Sequence, residues 1–443
     1  MTIKEIIKIT HGKIISGKNI DNEVSKICID SRTIEKNDIF ITIKGNKTDG
    51  IKYIDEVIDK ASIIITNKKI KRKNKTPIIK VKNTVKALRQ IGIYNRQKYI
   101  DKPLIAITGS VGKTTTKELL SHILKTKYNI LKTYENYNNQ IGVPLMLSRI
   151  NEKHDIIILE LGMNHIKEIE KLSKMCKPQT AIITNIGTSH IGFLKTQENI
   201  FKAKMEIIKG MKKGNLIVNG KDFYLSKLKK NNKYSIIKTN ENCVNNIIIN
   251  NKLYFTINIK NKKYNIEFNI PNKYLIENIL LAIKTSLLYQ IPVNNIVNAI
   301  NTFKAPKKRL NIINLNNNIE IIDDTYNASL ESIKSSLSIL ENSRKYKLAI
   351  IGDVLELGKY SKEIHKKIEE ELKKIKNLNI ITIGQHTKVI NIGSHFDTKE
   401  EAINYLNNKK LNDTIILIKA SNAMRLEEIK EAIINRYTTN IST

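Results

Sequence analysis

Short apolar runs recur along the chain, and most of them stop on a glycine or a polar residue. From about residue 99 they read "LIAIT" (104–108), "DIIILEL" (155–161), "TAIITNIG" (180–187) and "NLIVN" (215–219). None alternates apolar with polar, which predicts strands buried on both faces. Between them the spacing turns helical, most clearly in "NKYLIENILLAIKTSLLYQ" (272–290). Strands alternating with helices predict a mostly parallel sheet covered on both sides. The pattern then restarts: "IEIID", "KLAIIGD", "NIITIG" and "DTIILIKAS" are strands, with helices beginning near Ser329, Ser361, Thr398 and Met424. This is a second doubly wound unit. The first hundred residues differ. "VSKICIDSRTIEKNDIFITIKGNKTDG" alternates apolar and polar residues, and "ASIIIT" and "PIIKV" follow as short strands. The expectation is an α/β protein of three domains, 1–98, 99–308 and 309–443, which suits a chain of 443 residues.

Composition narrows the functional classes. No uncharged apolar run reaches about eighteen residues, so no transmembrane helix is expected. "MTIKEIIKIT" carries Glu5 and Lys8 inside its apolar stretch and does not read as a signal peptide. Cys28, Cys176 and Cys243 are far apart, which argues against a disulfide framework or zinc site and for a reducing cytoplasm. The formal net charge is +34, yet the lysines are scattered among Asn and Ile along the whole chain. Even the densest run, "KKIKRKNK" at 68–75, reads as a solvated loop, so nucleic acid is not the expected partner. The charge suits small polyanions such as nucleotides and nucleotide sugars.

The chemistry gathers just beyond the strands, where ligands of open α/β sheets bind. "LIAITGSVGKTTT" runs strand, glycine turn, helix start. In that setting the backbone N–H groups of Gly109, Ser110, Val111 and Gly112 point at phosphate oxygens. Lys113 adds a cation, and Thr114 or Thr115 a hydroxyl for Mg²⁺. The usual longer loop would place a glycine at Ile107, and the alternative is a tight turn with no ligand. Glu160 ends the next strong strand; Asn185 and His190 follow the one beyond. A carboxylate and an imidazole beside bound phosphates could coordinate Mg²⁺; each alone is more often structural or solvated, and it is their joint placement beyond strands flanking the phosphate loop that favours the metal. Lys202 and Lys204 read from spacing as surface lysines. Asp323, Asp324, Tyr326 and Asn327 lie just past a strand of the third block, and Arg309 near the preceding junction, where a two-domain cleft would close on a nucleotide. The alternatives are a helix N-cap for the aspartates, a linker cation for Arg309, and packing for Tyr326.

As an ordered set, "TGSVGKTTTKE", "ENYNNQIGVPL", "LELGMNHIKEI", "AIITNIGTSH", "AKMEI", "DDTYNAS" and "IGDVLELG" resemble the Mur ligases of peptidoglycan synthesis. The likeness extends from Asp30–Arg32 to about Ser421. It is greatest to the members that add D-alanyl-D-alanine to UDP-N-acetylmuramoyl-tripeptide through an acyl phosphate. The resemblance implies an N-terminal UDP-sugar domain, a central phosphate-loop ATPase domain and a C-terminal Rossmann-like domain. The partners would be ATP, Mg²⁺, the sugar tripeptide and the dipeptide, acting on a cytoplasmic monomer. It also implies a short loop, T-G-x-x-G-K-T-T, in which Ile107 merely ends a strand.

Carried over position by position, Lys113 resembles the phosphate lysine, and Thr114, Glu160 and His190 the metal ligands. Lys204 resembles a lysine carried as a carbamate. Gly109 to Thr115, Asn278, Arg309, Asp324 and Tyr326 resemble the ATP site. Ser31, Arg32, Asp49 and Gly50 resemble the uridine side, and Asn138, Asn139 and Asn327 the substrate side. The chain departs from the pattern at Tyr274 and Leu275, where a His-Asn pair is usual, at Ser329 and Leu330, and at Asn422, where an arginine is usual. Rival readings are a sister amide ligase with a diamino acid or glutamate as acceptor, an ATP-binding relative without ligation, and a basic nucleic-acid-dependent NTPase.

Overall fold

In the computed structural model, described for residues 1–17, 20, 24–45, 48–70, 75–230 and 232–438, the apolar runs become the strands of three main sheets. Positions 71–74 of the basic run lie outside the described residues. The central sheet has six parallel strands in the order Tyr234–Lys238, Gly214–Val218, Thr180–Ile183, Leu104–Thr108, Ile156–Glu160, Ile130–Lys132. Leu104–Thr108 lies in the middle. Every residue of it and of its neighbours Thr180–Ile183 and Ile156–Glu160 is buried, because helices cover both faces. The helix Lys113–Leu124 packs on one side with Ile276–Leu288, and Gly142–Ser148 and Glu168–Cys176 on the other.

The C-terminal sheet also has six strands, Asn311–Leu315, Ile319–Asp323, Thr414–Lys419, Tyr346–Gly352, Leu378–Ile383 and Ser394–Phe396, parallel except for the first. Two of its helices begin on capping residues the sequence displays. Ser329 accepts from the backbone of Ser332, and Thr398 from that of Glu401, which returns a bond to the Thr398 backbone. The last helix, Glu427–Thr438, starts later than the apolar pattern suggests. A 3₁₀ turn, Asn422–Met424, and Arg425 in the left-handed region come first.

The N-terminal sheet, Lys13–Ser16, Ile78–Lys80, Ile63–Thr66, Ile39–Ile41 and Ile27–Cys28, is parallel apart from its first strand. The helix Thr84–Lys98 joins it to the central domain. One side of this helix (Ala87, Leu88, Ile91) belongs to the N-terminal core. At Gly92 a Cβ would stand 2.6 Å from the Pro144 carbonyl oxygen, so the helix lies directly against Gly142–Ser148. Asn95 donates to the carbonyls of Leu147 and Ile150, each at 2.8 Å. Buried Arg96 donates to the carbonyls of Cys176, Tyr99 and Lys102 at 2.7, 2.6 and 3.0 Å.

One element was not foreseen. An antiparallel sheet, Val244–Ile249, Leu253–Ile259 and Lys262–Phe268, is inserted in the central domain before the helix Ile276–Leu288. Its second turn is a two-residue loop, Lys260–Asn261, with both residues at positive φ, the backbone that matches strand twist in a tight hairpin. Among the described residues no helix is long and apolar enough to cross a membrane.

Candidate active site

The carboxyl ends of the central and C-terminal sheets face each other across a cleft of about 1190 Å³. The phosphate loop forms its floor. Gly109 (φ +154°) and Gly112 (φ +82°) have no freedom to carry a side chain: a Cβ at 109 would stand 1.8 Å from Thr184 Oγ1. The turn therefore needs these two glycines and none at Ile107, a buried strand residue. Asn185 props the loop, its Oδ1 accepting from the N–H groups of Ser110 (3.1 Å) and Val111 (2.9 Å). Asn278 Nδ2 donates to the Gly112 carbonyl at 3.1 Å and to Thr116 at 2.9 Å. Its side chain thus holds the start of the helix, while Lys273, Tyr274 and Leu275 line the cleft beside it.

Lys113 folds back on the loop, donating to the carbonyls of Gly109 (2.6 Å) and Ser110 (3.2 Å). Burial, offset in part by Glu160, holds its ammonium down to about 8. Thr114 donates to Glu160 Oε2 at 3.2 Å. The other oxygen of Glu160, itself 2% exposed, has no hydrogen bond and lies 3.3 Å from the Nζ of buried Lys117. Lys117, one helical turn beyond Lys113, also donates to the Thr133 carbonyl at 2.8 Å. Sequence reading gave it no role, although "KTTTK" puts both lysines on one face.

The loop after the strand Thr180–Ile183 carries His190 in the left-handed region (φ +65°). Its Nδ1 lies 2.7 Å from Glu356 of the C-terminal domain. Burial lowers the His190 pKa, and the nearby cations Lys113 and Lys204 add to this against the opposing Glu356 bond. Glu331, also C-terminal, accepts from the backbone N–H of Thr188 (2.7 Å) and from its hydroxyl (3.2 Å). The two lysines of the helix Gln197–Met205 part company. Lys202 is exposed and paired with Glu198 at 2.7 Å. Lys204 lines the cleft, is 1% exposed, and carries no hydrogen bond or ion pair among the described residues. Its ammonium is strongly disfavoured, first by burial and then by Lys113.

From the C-terminal side, the Arg309 guanidinium stacks 3.9 Å above the Tyr326 ring. Asp324 is ion-paired with buried Lys419 and accepts from Ser336 at 2.6 Å. Asp323 faces away, bonded to Thr325 and, at 3.2 Å, to Lys430. Neither aspartate caps a helix, since Ser329 does that. Asn327, Asn138, Asn139 and Asn422 line the same cleft. Asn139 also caps Gly142–Ser148, its Oδ1 accepting from Ile141 and Gly142. Arg425, three residues past Asn422, also lines that cleft, its guanidinium paired with Glu428 at 3.1 Å. Ser31, Arg32, Asp49 and Gly50 stand apart on the N-terminal domain. Arg32 is clamped to Asp30 through Nε (2.9 Å) and Nη2 (2.6 Å), and Asp49 caps the turn Gly50–Tyr53.

Fold and cleft together define a phosphate-loop nucleotide enzyme whose site is completed by a second α/β domain. Residues 107–286 match the Mur ligase middle domain, and 308–422 the Mur ligase glutamate ligase domain. The UDP-N-acetylmuramoyl-tripeptide–D-alanyl-D-alanine ligase of Buchnera aphidicola subsp. Baizongia pistaciae is 37% identical over 94% of this chain and 93% of its own length. The Bacillus subtilis ligase of that name is 30% identical over 98% of each. Among solved structures, MurF from Acinetobacter baumannii superposes with TM-score 0.88 at 28% identity over 98% of both chains. MurF from Thermotoga maritima in complex with ADP gives 0.81 at 25% identity over 93% of this chain and 97% of its own. The chain belongs to the Mur ligase family, among its UDP-N-acetylmuramoyl-tripeptide–D-alanyl-D-alanine ligases.

Proposed function

We propose that this cleft joins D-alanyl-D-alanine to UDP-N-acetylmuramoyl-tripeptide, converting ATP to ADP and phosphate, as a cytoplasmic monomer making peptidoglycan precursors. The observation that carries the reading is one cavity lined by the phosphate loop, Lys204, and Arg309 and Asp324 of the opposing domain. Residues 1–98 would hold the uridine end of the donor, through Ser31, Arg32, Asp49 and Gly50. Residues 99–308 hold the triphosphate and 309–443 close over it.

In the first step the donor carboxylate attacks the γ-phosphorus of ATP, ADP leaves, and an acyl phosphate forms. Two anions must meet for this. Lys113, Arg309 and the N–H groups in the first turn of the helix Lys113–Leu124 offset the repulsion and the charge that develops, while the Ser110 and Val111 N–H groups stay on Asn185. In the second step the dipeptide amine adds to the acyl carbon, and the tetrahedral adduct collapses to amide and inorganic phosphate. Closure of Arg309 and Asp324 onto the nucleotide keeps water from the acyl phosphate.

The residues present suit Mg²⁺ of the nucleotide-bound kind. Among the described residues no cluster of three or more His, Cys, Asp or Glu could hold an ion alone. Thr114, the Glu160 carboxylate beside it, and His190 would share the ion with phosphates and water, which is the habit of Mg²⁺. When bound it would neutralise phosphate charge. Lys204 is suited to a carbamate: its buried amine, deprotonated, adds to CO₂ with loss of a proton and becomes an anion facing the phosphates.

The test is phosphate release with ATP, sugar tripeptide and D-alanyl-D-alanine, each omitted in turn, with the product weighed by mass spectrometry. Release that needs all three, and a product one dipeptide heavier less water, is expected. Turnover with glutamate or a diamino acid in place of the dipeptide would overturn it.

A further inference from the structure

We infer that Glu356 is a positioning residue for His190: by accepting from Nδ1 it fixes the imidazole so that Nε2 presents its lone pair to the cation of the nucleotide. The inference rests on reading His190 as a ligand, and extends it to a residue on the other domain.

The Nδ1–Oε2 distance is 2.7 Å, and among the described residues Nε2 has no hydrogen-bond partner. A carboxylate on Nδ1 selects the Nδ1–H tautomer, and the ring nitrogen left over is the one free to ligate. The contact is built into the backbone as well. Glu356 is held at φ +64°, and its carbonyl accepts from Gly192 N–H at 3.1 Å. At Gly192 a Cβ would stand 2.4 Å from that carbonyl oxygen and 2.8 Å from Gly358 N, so only glycine lets the two loops meet. The hold continues toward the phosphates. Gly187 N–H donates to Ser110 Oγ at 2.8 Å, and Ser189 Oγ to the Ser110 carbonyl at 3.3 Å. Glu331 grips Thr188 between them. Because Glu356 arrives with the C-terminal domain, the imidazole is aimed only when that domain is closed, so closure and cation binding support each other.

The experiment measures ADP binding by calorimetry across a Mg²⁺ titration for wild type, E356A, E356Q, H190A and H190A/E356A, with thermal unfolding to confirm folding. Selective ¹⁵N-histidine NMR of the eight histidines reports the His190 tautomer. E356A is expected to raise the Mg²⁺ needed for half-maximal binding by about 10–100-fold and to lose the Nδ1–H tautomer. E356Q, whose carbonyl still accepts from Nδ1, should retain the tautomer and most of the Mg²⁺ dependence, and E356A should add nothing to H190A. An unchanged Mg²⁺ requirement in E356A, or an equal loss in the H190A background, overturns the positioning role. An unchanged requirement in H190A overturns instead the reading of His190 as a ligand.

Discussion

Asn278 and Gly112 share one volume: a Cβ at 112 would stand 2.2 Å from Asn278 Nδ2, and that nitrogen donates to the Gly112 carbonyl. Gly112→Ala therefore meets both the clash and the left-handed backbone, the latter alone costing about 1–2 kcal/mol. The expected outcome is loss of measurable ADP binding by calorimetry, with a folded protein by circular dichroism. Unchanged affinity would mean that the loop tolerates rearrangement away from Asn278.

Burial holds Lys113 at about 8, so near that pH it is about half protonated. Phosphates beside it favour the ammonium and raise its pKa. Nucleotide binding near pH 8 should thus take up protons, and affinity should fall as pH rises past 8. Calorimetry in buffers of different ionisation enthalpy measures the uptake. Lys113→Ala should abolish both the uptake and ligation while the fold persists; uptake that survives the substitution assigns it to another group.

Lys204→Ala should be inactive and partly rescued by acetate, a free carboxylate that fits the space of a carbamate. Lys202→Ala, on the same helix but exposed and paired only with Glu198, should ligate normally. ¹³CO₂ labelling followed by NMR should show a carbamate carbon in wild type and none in Lys204→Ala. Full activity in Lys204→Ala would return this residue to a packing role.

Removing one partner of the Asp324–Lys419 pair leaves a buried charge alone. Asp324→Ala should destabilise by about 3–5 kcal/mol, measured by urea unfolding. The double change Asp324→Asn with Lys419→Met should recover much of that loss while nucleotide binding stays impaired. Equal loss in the single and double variants would place the stability elsewhere than in the pair.

The strands of the two large sheets were legible because burial on both faces writes them as unbroken runs such as "IIILE" and "TIILIK". Ser329 and Thr398 announced their helices for an equally local reason, the hydrogen bond of a cap. The inserted antiparallel sheet was not read. Its strand Val244–Ile249 is mostly exposed, and only the alternation in "LYFTINI" could have marked it. Spacing could not separate Lys202 from Lys204, because that depends on which face of the helix meets the cleft. Lys117 is marked only by its spacing from Lys113 in "KTTTK", while the local sequence around Glu331 and Glu356 does not show their partners, which lie in other segments, Glu356 being 166 residues from His190.

The helix Thr84–Lys98 is packed into the N-terminal core on one side and stitched by Asn95 and Arg96 to the central domain on the other. The span from the Ser31–Thr33 turn to the phosphate loop is thereby fixed like the jaws of a gauge. On the proposed reading, a donor held by its uridine end at that turn would be measured against that span. A sugar peptide one residue short would leave its carboxylate stranded before the γ-phosphate, however well its nucleotide end is bound.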